Sequence, residues 1–152
     1  MNRIHRKVEY ALIALKHMRA KAPGERTTVK EMVTTYGCPH DVLARVLQIL
    51  AARQILNSEQ GIRGGYAIAK DLNHLSYYDL LEVILGPMGV ARCVDEAPCE
   101  LRGTCNIVSP IQLLNRKMSD FYRSLAVGEL IDAGKKHRPV AAPSLSPNTS
   151  RA

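Results

Sequence analysis

Apolar residues recur at intervals of three and four along the first fifty residues, which is the spacing of one helix face. The first such stretch covers 4–19 and predicts an amphipathic helix. Thr28 and Glu31 form a capping box that predicts a second helix over 28–36. After a Gly-Cys-Pro turn, the pattern resumes over 40–53 and predicts a third helix. The apolar faces of the first and third helices consist of Ile4, Val8, Ala11, Leu12, Leu15 and Met18, and of Leu43, Val46, Leu47 and Leu50.

Two helices joined by a short glycine-containing turn are typical of a helix-turn-helix. Two strand-like runs follow at 55–58 and 66–69, and the polar, glycine-rich turn between them predicts a β-hairpin. A helix-turn-helix followed by a hairpin is a winged helix. Arg63 places a cation at the tip of this hairpin, although an ordinary solvated turn residue has the same signature. The turn holds three glycines that permit close approach of the backbone, namely Gly61, Gly64 and Gly65.

The pattern changes twice in the second half of the chain. Ser76 and Asp79 form a capping box and predict a fourth helix that ends at Gly86. From Ile107, apolar residues are spaced 4, 3, 4, 3 and 4 positions apart, which is a heptad seam. The seam predicts a long helix over 107–132 that packs along another helix, in a bundle or in a homodimer. We favour the homodimer because the chain offers few other long helices, and a dimer would pair two winged helices.

The charge of the chain is concentrated in its first half. The 152 residues carry a net charge of +7, and residues 1–70 account for all of it, with 12 Lys and Arg against 5 Asp and Glu. A basic half favours a polyanionic partner such as DNA, because each neutralised phosphate releases bound counterions. A solvated basic surface is the simpler alternative. Residues 133–152 are rich in Pro, Ser, Ala and basic residues, and they predict a disordered tail.

Several classes of protein are disfavoured by what the sequence lacks. No apolar run approaches the length of a membrane span, and the first residues lack the apolar core of a signal peptide. We therefore expect a cytoplasmic protein with no membrane partner. The chain has no phosphate loop, no Ser-His-Asp order and no nucleotide fingerprint, so we do not expect an enzyme.

Three cysteines lie at equal spacing in the irregular stretch 87–106, called here the cysteine segment. Cys93, Cys99 and Cys105 are separated by five residues on each side. Thiolates are ligands for zinc and for iron–sulfur clusters, and a bound group would order a segment of this length. The wide spacing fits structural zinc poorly, and a cluster would need a fourth ligand from elsewhere. Three reduced structural thiols are the alternative, and Cys38 is expected to be a small buried residue.

These features follow one another in a specific order. A basic first helix carries Tyr-Ala-Leu at 10–12, the wing reads Arg-Gly-Gly-Tyr-Ala-Ile-Ala-Lys at 63–70, and the cysteine segment precedes a long last helix. Over about residues 1–132 the chain resembles the bacterial IscR/NsrR family of iron–sulfur transcription regulators. The resemblance implies a homodimer of winged helices that binds inverted-repeat DNA. It also implies a [2Fe–2S] or [4Fe–4S] cluster held by the three cysteines, whose state sets the affinity for DNA.

The resemblance also points to a fourth ligand. In the IscR branch this ligand is a His three residues after the last cysteine, but this chain has Val108 there. In the NsrR branch it is an Asp from the first helix of the partner subunit, and the matching position is Glu9. Glu9 is the only acid among residues 1–24, and ion pairs with basic neighbours on its helix are the ordinary alternative. His5 is a further candidate for the same role.

The third helix of such a fold would act as the recognition helix in the major groove, where Arg45 is suited to read a guanine. The wing would reach the minor groove or a phosphate. The predicted DNA-binding residues are His40, Asp41, Arg45 and Gln48 on the helix, and Arg63, Gly64 and Gly65 on the wing.

The sequence therefore predicts a mainly α protein with a small β-hairpin, built as a winged helix-turn-helix with a long dimerisation helix. Its predicted parts are a DNA-binding domain over 1–86, a cluster-binding loop over 87–106, a dimerisation helix over 107–132 and a disordered tail over 133–152. The predicted function is a transcriptional regulator that senses nitric oxide, redox state or iron–sulfur status through its cluster. A regulator that uses thiols or zinc without a cluster is the first alternative, and an iron–sulfur carrier protein is the second.

Overall fold

The computed structural model describes residues 3–94 and 99–133. Within these residues the chain forms six α-helices, one short 3-10 helix and one two-stranded antiparallel hairpin, so a mainly α fold with a small β-hairpin is confirmed. The predicted tail lies outside the described residues from position 134 onward. In chain order the elements are α1 (Arg6–Arg19), α2 (Val29–Tyr36), α3 (His40–Ala52), β1 (Leu56–Glu59), β2 (Gly65–Ile68), the 3-10 helix (Leu72–His74), α4 (Tyr77–Leu85), α5 (Val108–Ser124) and α6 (Val127–Asp132).

Side-chain caps begin α2 and α4 at the predicted positions. The hydroxyl of Thr28 accepts from the backbone N–H of Glu31 over 3.1 Å. Ser76 and Asp79 form a complete capping box, in which each side chain accepts from the other residue's backbone N–H. At α2 only the Thr28 half of the predicted box is present, because the carboxylate of Glu31 is engaged instead with His17 of α1 and with Lys21, which follows α1.

One aliphatic core joins the first half of the chain to its last described helix. Buried side chains of α1, α3 and α4 form most of it. Val127 and Ile131 of α6 are buried in the same core, and α6 packs against α1 and the 3-10 helix. The last described helix therefore completes the winged helix rather than extending away from it.

The single helix predicted over 107–132 is wrong, because the chain forms two helices there. α5 ends at Ser124, and Leu125 and Ala126 adopt extended backbone conformations. The backbone N–H of Tyr77 donates to the carbonyl of Leu125, and that of Val127 donates to the carbonyl of Leu75, both over 2.8 Å. This short bridge to the start of α4 interrupts the helix and turns α6 back into the core.

The hairpin pairs Leu56 with Ile68 and Glu59 with Gly65, so each strand is offset by one residue from its predicted run. Thr27 adds an isolated bridge to Tyr66 on the outer side of β2. The wing is therefore anchored to the chain segment that precedes α2.

The long helix α5 packs on α4 through one side only. Tyr122 meets Tyr77 edge to face with ring centroids 5.5 Å apart, and the guanidinium of Arg123 lies 3.9 Å from the ring centroid of Tyr78. Leu114 and Phe121 of the predicted seam remain exposed. A helix face of this kind is available to a second copy of the chain, and the homodimer stays a prediction. Among the described residues, none of the helices has the length and apolar character needed to cross a membrane.

Candidate DNA-binding surface and cysteine segment

The outward face of α3 carries the residues predicted to read DNA. Asp41, Arg45 and Gln48 are spaced four and three residues apart, so they share one side of the helix, and all three are exposed. The opposite side of α3 is buried in the core. His40 lies beside this face, with its Nδ1 atom 3.2 Å from Oδ1 of Asp41. Packing therefore fixes which side of the helix is free to enter a groove.

An open cleft of about 430 Å³ lies along this face, between α1 and α3. Its wall on the α3 side includes Asp41, Arg45 and Gln48, and its wall on the α1 side is Lys7. The sequence alone did not single out Lys7, because the basic character of the first helix does not reveal which of its cations faces α3.

The backbone of the wing leaves no room for a side chain at Gly64 or Gly65. A Cβ atom on Gly65, whose φ is +139°, would lie 2.7 Å from the carbonyl oxygen of Thr27. A Cβ atom on Gly64 would overlap the carbonyl oxygen of Glu59. Arg63 is exposed at the tip and makes no side-chain hydrogen bond or ion pair within the described residues. Direct DNA contacts by Arg63, Gly64 and Gly65 remain predictions.

The three predicted ligand cysteines are free thiols in the segment between α4 and α5. Cys93, Cys99 and Cys105 are all partly exposed. Among residues 3–94 and 99–133, no group of three or more His, Cys, Asp or Glu side chains is arranged to hold a metal ion. The structure therefore does not bring these cysteines together, although three accessible thiols are a donor set that suits iron–sulfur chemistry.

The fourth cysteine has a different environment. Cys38 is buried in the turn between α2 and α3, and burial raises the pKa of its thiol. A protonated, buried thiol behaves as a small apolar side chain. The expectation that Cys38 belongs to the core is confirmed.

Glu9 and His5 both lie near the start of α1. Oε2 of Glu9 accepts from Nη1 of Arg6 over 2.9 Å, so the helix ion pair named as the alternative is present. His5 caps α1, and its Nδ1 atom accepts from the backbone N–H of Lys7 over 3.2 Å. Neither contact tests whether either side chain is a ligand in a dimer, and both assignments stay predictions.

A partly buried polar contact that joins α2 to α1 and to Lys21 just after α1 was not predicted. Nε2 of His17 donates to Oε1 of Glu31 over 2.9 Å, and Nζ of Lys21 donates to Oε2 of the same carboxylate over 2.9 Å. The hydroxyl of Tyr36 lies 2.9 Å from Nδ1 of His17. These four side chains attach the first helix of the helix-turn-helix to α1, and their sequence separation gave no signal of it.

Comparison with known families shows which family the chain belongs to. A family model for Rrf2, described as iron-dependent transcriptional regulators, matches residues 4–133. The chain belongs to the Rrf2 family. The match runs from before α1 to the end of α6, so the expected relationship to IscR-type regulators is confirmed. An Rrf2 protein is a transcriptional regulator.

Relatives of this Rrf2 protein span nearly its whole described length. A protein of Aquifex aeolicus, assigned by prediction as an HTH-type transcriptional regulator, is 26% identical over 133 residues, which are 86% of this chain and 92% of that protein. CymR (YrzC), the global cysteine regulator of B. subtilis, superposes with a TM-score of 0.67 at 18% identity, covering 88% of this chain and 98% of CymR. IscR of T. potens superposes with a TM-score of 0.66 at 13% identity, covering 93% of this chain and 94% of that IscR. At these identities the two solved structures show the winged-helix fold alone.

Proposed function

We propose that this Rrf2 protein binds inverted-repeat DNA as a homodimer and that an iron–sulfur cluster on its cysteine segment sets the DNA affinity. The observation that carries the proposal is the position of three accessible thiols on the one segment that joins α4 to the predicted dimerisation helix α5. The signal would be nitric oxide, redox state or iron–sulfur supply, because each of these removes or alters a thiolate-bound cluster.

The DNA-binding part of the proposal is supported by the surface of α3 and by the distribution of charge. Arg45 is exposed beside Gln48, and neither side chain makes a hydrogen bond or ion pair within the described residues. Arg is suited to two hydrogen bonds with a guanine edge, and Gln to the edge of an adenine. Both side chains are thus free for base contacts, and the basic first half would supply attraction to phosphates.

The dimer part is supported by the apolar seam of α5. Leu114 and Phe121 are exposed on a helix whose other side packs on α4. Two such helices packed together would bury these side chains and hold two recognition helices at a fixed separation. Half-site spacing in the DNA would then follow from the dimer geometry.

Cys93, Cys99 and Cys105 would hold the cluster, with Glu9 or His5 of the partner subunit completing the set. When bound, the cluster supplies a redox-active and nitric-oxide-reactive centre whose binding free energy orders the segment that carries it. A carboxylate ligand is harder and more exchangeable than a thiolate, so a Glu at the fourth position suits a sensor.

The structure offers a route by which this segment would affect DNA binding. The backbone N–H of Val90 donates to Oδ1 of Asn115 over 3.2 Å, which ties the start of the segment to α5. The far end of α5 continues into α6, whose buried Val127 and Ile131 belong to the core that also holds α3. A rearranged cysteine segment would therefore change how α5 sits relative to the recognition helix.

A second candidate is a regulator that uses its thiols directly, without a cluster. It is favoured by the absence, among the described residues, of any gathered set of metal ligands. CymR of B. subtilis, a global cysteine regulator, has a similar fold, which indicates that the fold is not restricted to IscR.

The test is the affinity of cluster-loaded and cluster-free wild-type protein for a fluorescent duplex that either state selects from a random-sequence pool. We expect the two affinities to differ on the order of 5- to 150-fold, which is typical of coupling between two sites. Cys105→Ser should behave as cluster-free protein throughout, whereas the control Cys38→Ala should retain the switch. A duplex bound equally well by both states would overturn cluster control, and no selected duplex would overturn DNA binding.

A further inference from the structure

We propose that Lys7 of α1 is a DNA phosphate contact, which extends the DNA-binding surface beyond the helix-turn-helix. The inference rests on the proposed function because it takes DNA as the ligand. Lys7 forms the α1 side of the cleft whose α3 side carries Asp41, Arg45 and Gln48. A cation in that position lies next to the recognition face without belonging to the recognition helix.

The packing of α1 on α3 holds Lys7 beside the recognition face. Its neighbour Val8 is fully buried, as is Val46 on the facing side of α3, and α1 and α3 pack directly against each other. Lys7 itself is half-buried, so part of its aliphatic stem lies on protein surface while the ammonium group can reach solvent. The side chain is therefore anchored at its base and free at its end.

The charge of Lys7 is available for a ligand. Its ammonium group makes no hydrogen bond or ion pair anywhere in residues 3–94 and 99–133. The adjacent Arg6 is already engaged with Glu9. Asp41 is exposed in the same cleft and would repel a nearby phosphate, so Lys7 and Arg45 supply the positive charge that this part of the surface needs.

Phosphate is a better match than a base edge for a lysine in this position. When a recognition helix occupies the major groove, an element beside it faces the sugar–phosphate backbone at the rim of the groove. An ammonium group on a flexible stem acts as a point charge, which suits a phosphate oxygen and carries little base preference.

The experiment compares Lys7→Gln with Lys16→Gln on the duplex that the wild-type protein selects and on a scrambled duplex of equal length. Lys16 is a matched control because it lies on the same helix and is exposed, but it lines a different groove, formed with Leu12, Ile13 and α6. Affinity is measured from 50 to 400 mM salt, and thermal unfolding confirms that each variant is folded. Lys7→Arg tests rescue by a retained charge.

We expect Lys7→Gln to reduce the slope of log affinity against log salt by about 0.9 for each subunit bound. If the variant and the wild-type protein bind equally at 1 M salt, the variant should bind about eightfold more weakly for each subunit at 0.1 M salt. The loss should be equal for both duplexes. Lys16→Gln should leave the slope unchanged, and Lys7→Arg should restore it.

An unchanged slope in folded Lys7→Gln, with wild-type protein still binding its duplex, would overturn this inference and leave the proposed function standing. A loss confined to the selected duplex would also overturn it, because that pattern indicates a base contact. Failure of the wild-type protein to select any duplex would overturn the proposed function, and this inference with it.

Discussion

The guanidinium Nη2 of Arg19 donates to Oδ2 of Asp132 over 2.8 Å and joins α1 to α6 across the whole described fold. Both side chains are about one-third exposed, at 30% and 34%. Because α6 directly follows α5, this ion pair and the buried side chains of α6 connect the end of the predicted dimerisation helix to the core behind the recognition helix. The end of α5 is therefore joined through α6 to the core that holds α1 and α3.

The ion pair between Arg19 and Asp132 should contribute little to the free energy of unfolding, and its contribution should depend on salt. A double-mutant cycle with Arg19→Gln and Asp132→Asn should give a coupling free energy of about 0.5 kcal/mol in dilute salt, since the pair is partly exposed. Urea unfolding in 0.05 M and 1 M NaCl measures it, and the coupling should fall at the higher salt. A coupling that is independent of salt would contradict a screened surface pair.

The buried side chains of α6 should contribute far more to the free energy of unfolding than its ion pair with α1 does. Ile131 is only 5% exposed, and Ile131→Ala should lower the free energy of unfolding by about 2 kcal/mol or more through lost contacts and the cavity left behind. The control is Ile62→Ala, because Ile62 is fully exposed in the wing turn, away from the apolar seam of α5, and its truncation should cost less than about 0.5 kcal/mol. Urea unfolding at one fixed protein concentration measures both, since a dimer's stability depends on concentration. Equal effects would mean that α6 does not belong to the core.

The wing should not tolerate a side chain at position 65. Gly65→Ala would combine a positive φ of +139° with a Cβ atom 2.7 Å from the carbonyl oxygen of Thr27, and we expect a loss of about 1–3 kcal/mol. Gly103→Ala is the control, since a Cβ atom there meets nothing within 4 Å. Thermal unfolding of the two variants checks this, and a Gly65→Ala protein as stable as the control would show that the wing backbone can shift.

The contact between α1 and α2 should weaken in acid. Burial raises the pKa of Glu31, but hydrogen bonds from Lys21 and His17 outweigh it and hold the pKa of this carboxyl below its ordinary value of 4.5. A depressed pKa gives stability that is present above pH 4.5 and is lost as pH falls through the folded-state pKa. Glu31→Gln should therefore be less stable than wild type at pH 7, and the difference should shrink below pH 4.5.

Glu82→Gln provides the comparison for this titration. Glu82 is exposed on α4, and its side chain makes no hydrogen bond or ion pair within the described residues. Its substitution should change stability little at either pH. A Glu31→Gln deficit that persists unchanged at pH 3.5 would show that the carboxylate charge is not what holds α2 to α1.

Local signals in the sequence were enough to predict the winged helix. Thr28 and Ser76 cap their helices with their own neighbours, so a few adjacent residues specify where α2 and α4 begin. The break after Ser124 depends instead on bridges to Leu75 and Tyr77, about fifty residues earlier in the chain. The heptad spacing continues to Leu125, so it gave no indication that the helix would end at Ser124.

The candidate site was predictable to the extent that it lies on one helix. Asp41, Arg45 and Gln48 share a face of α3 because helical spacing requires it. Lys7 joins them only through the packing of α1 on α3, and the pairing of Glu31 with His17 likewise depends on how two helices meet. The predicted ligand set is harder still to derive from one sequence, because the resemblance puts the fourth ligand, at the position of Glu9, on a second copy of the chain.

The most direct test of the account is native mass spectrometry of anaerobically purified protein, with iron and acid-labile sulfide measured on the same sample. We predict a dimer that carries one cluster per chain, retained in Cys38→Ala and lost in Cys105→Ser. A dimer that contains neither iron nor sulfide, even after reconstitution, would contradict cluster sensing and would leave an Rrf2 regulator whose three accessible cysteines act as thiols or bind zinc.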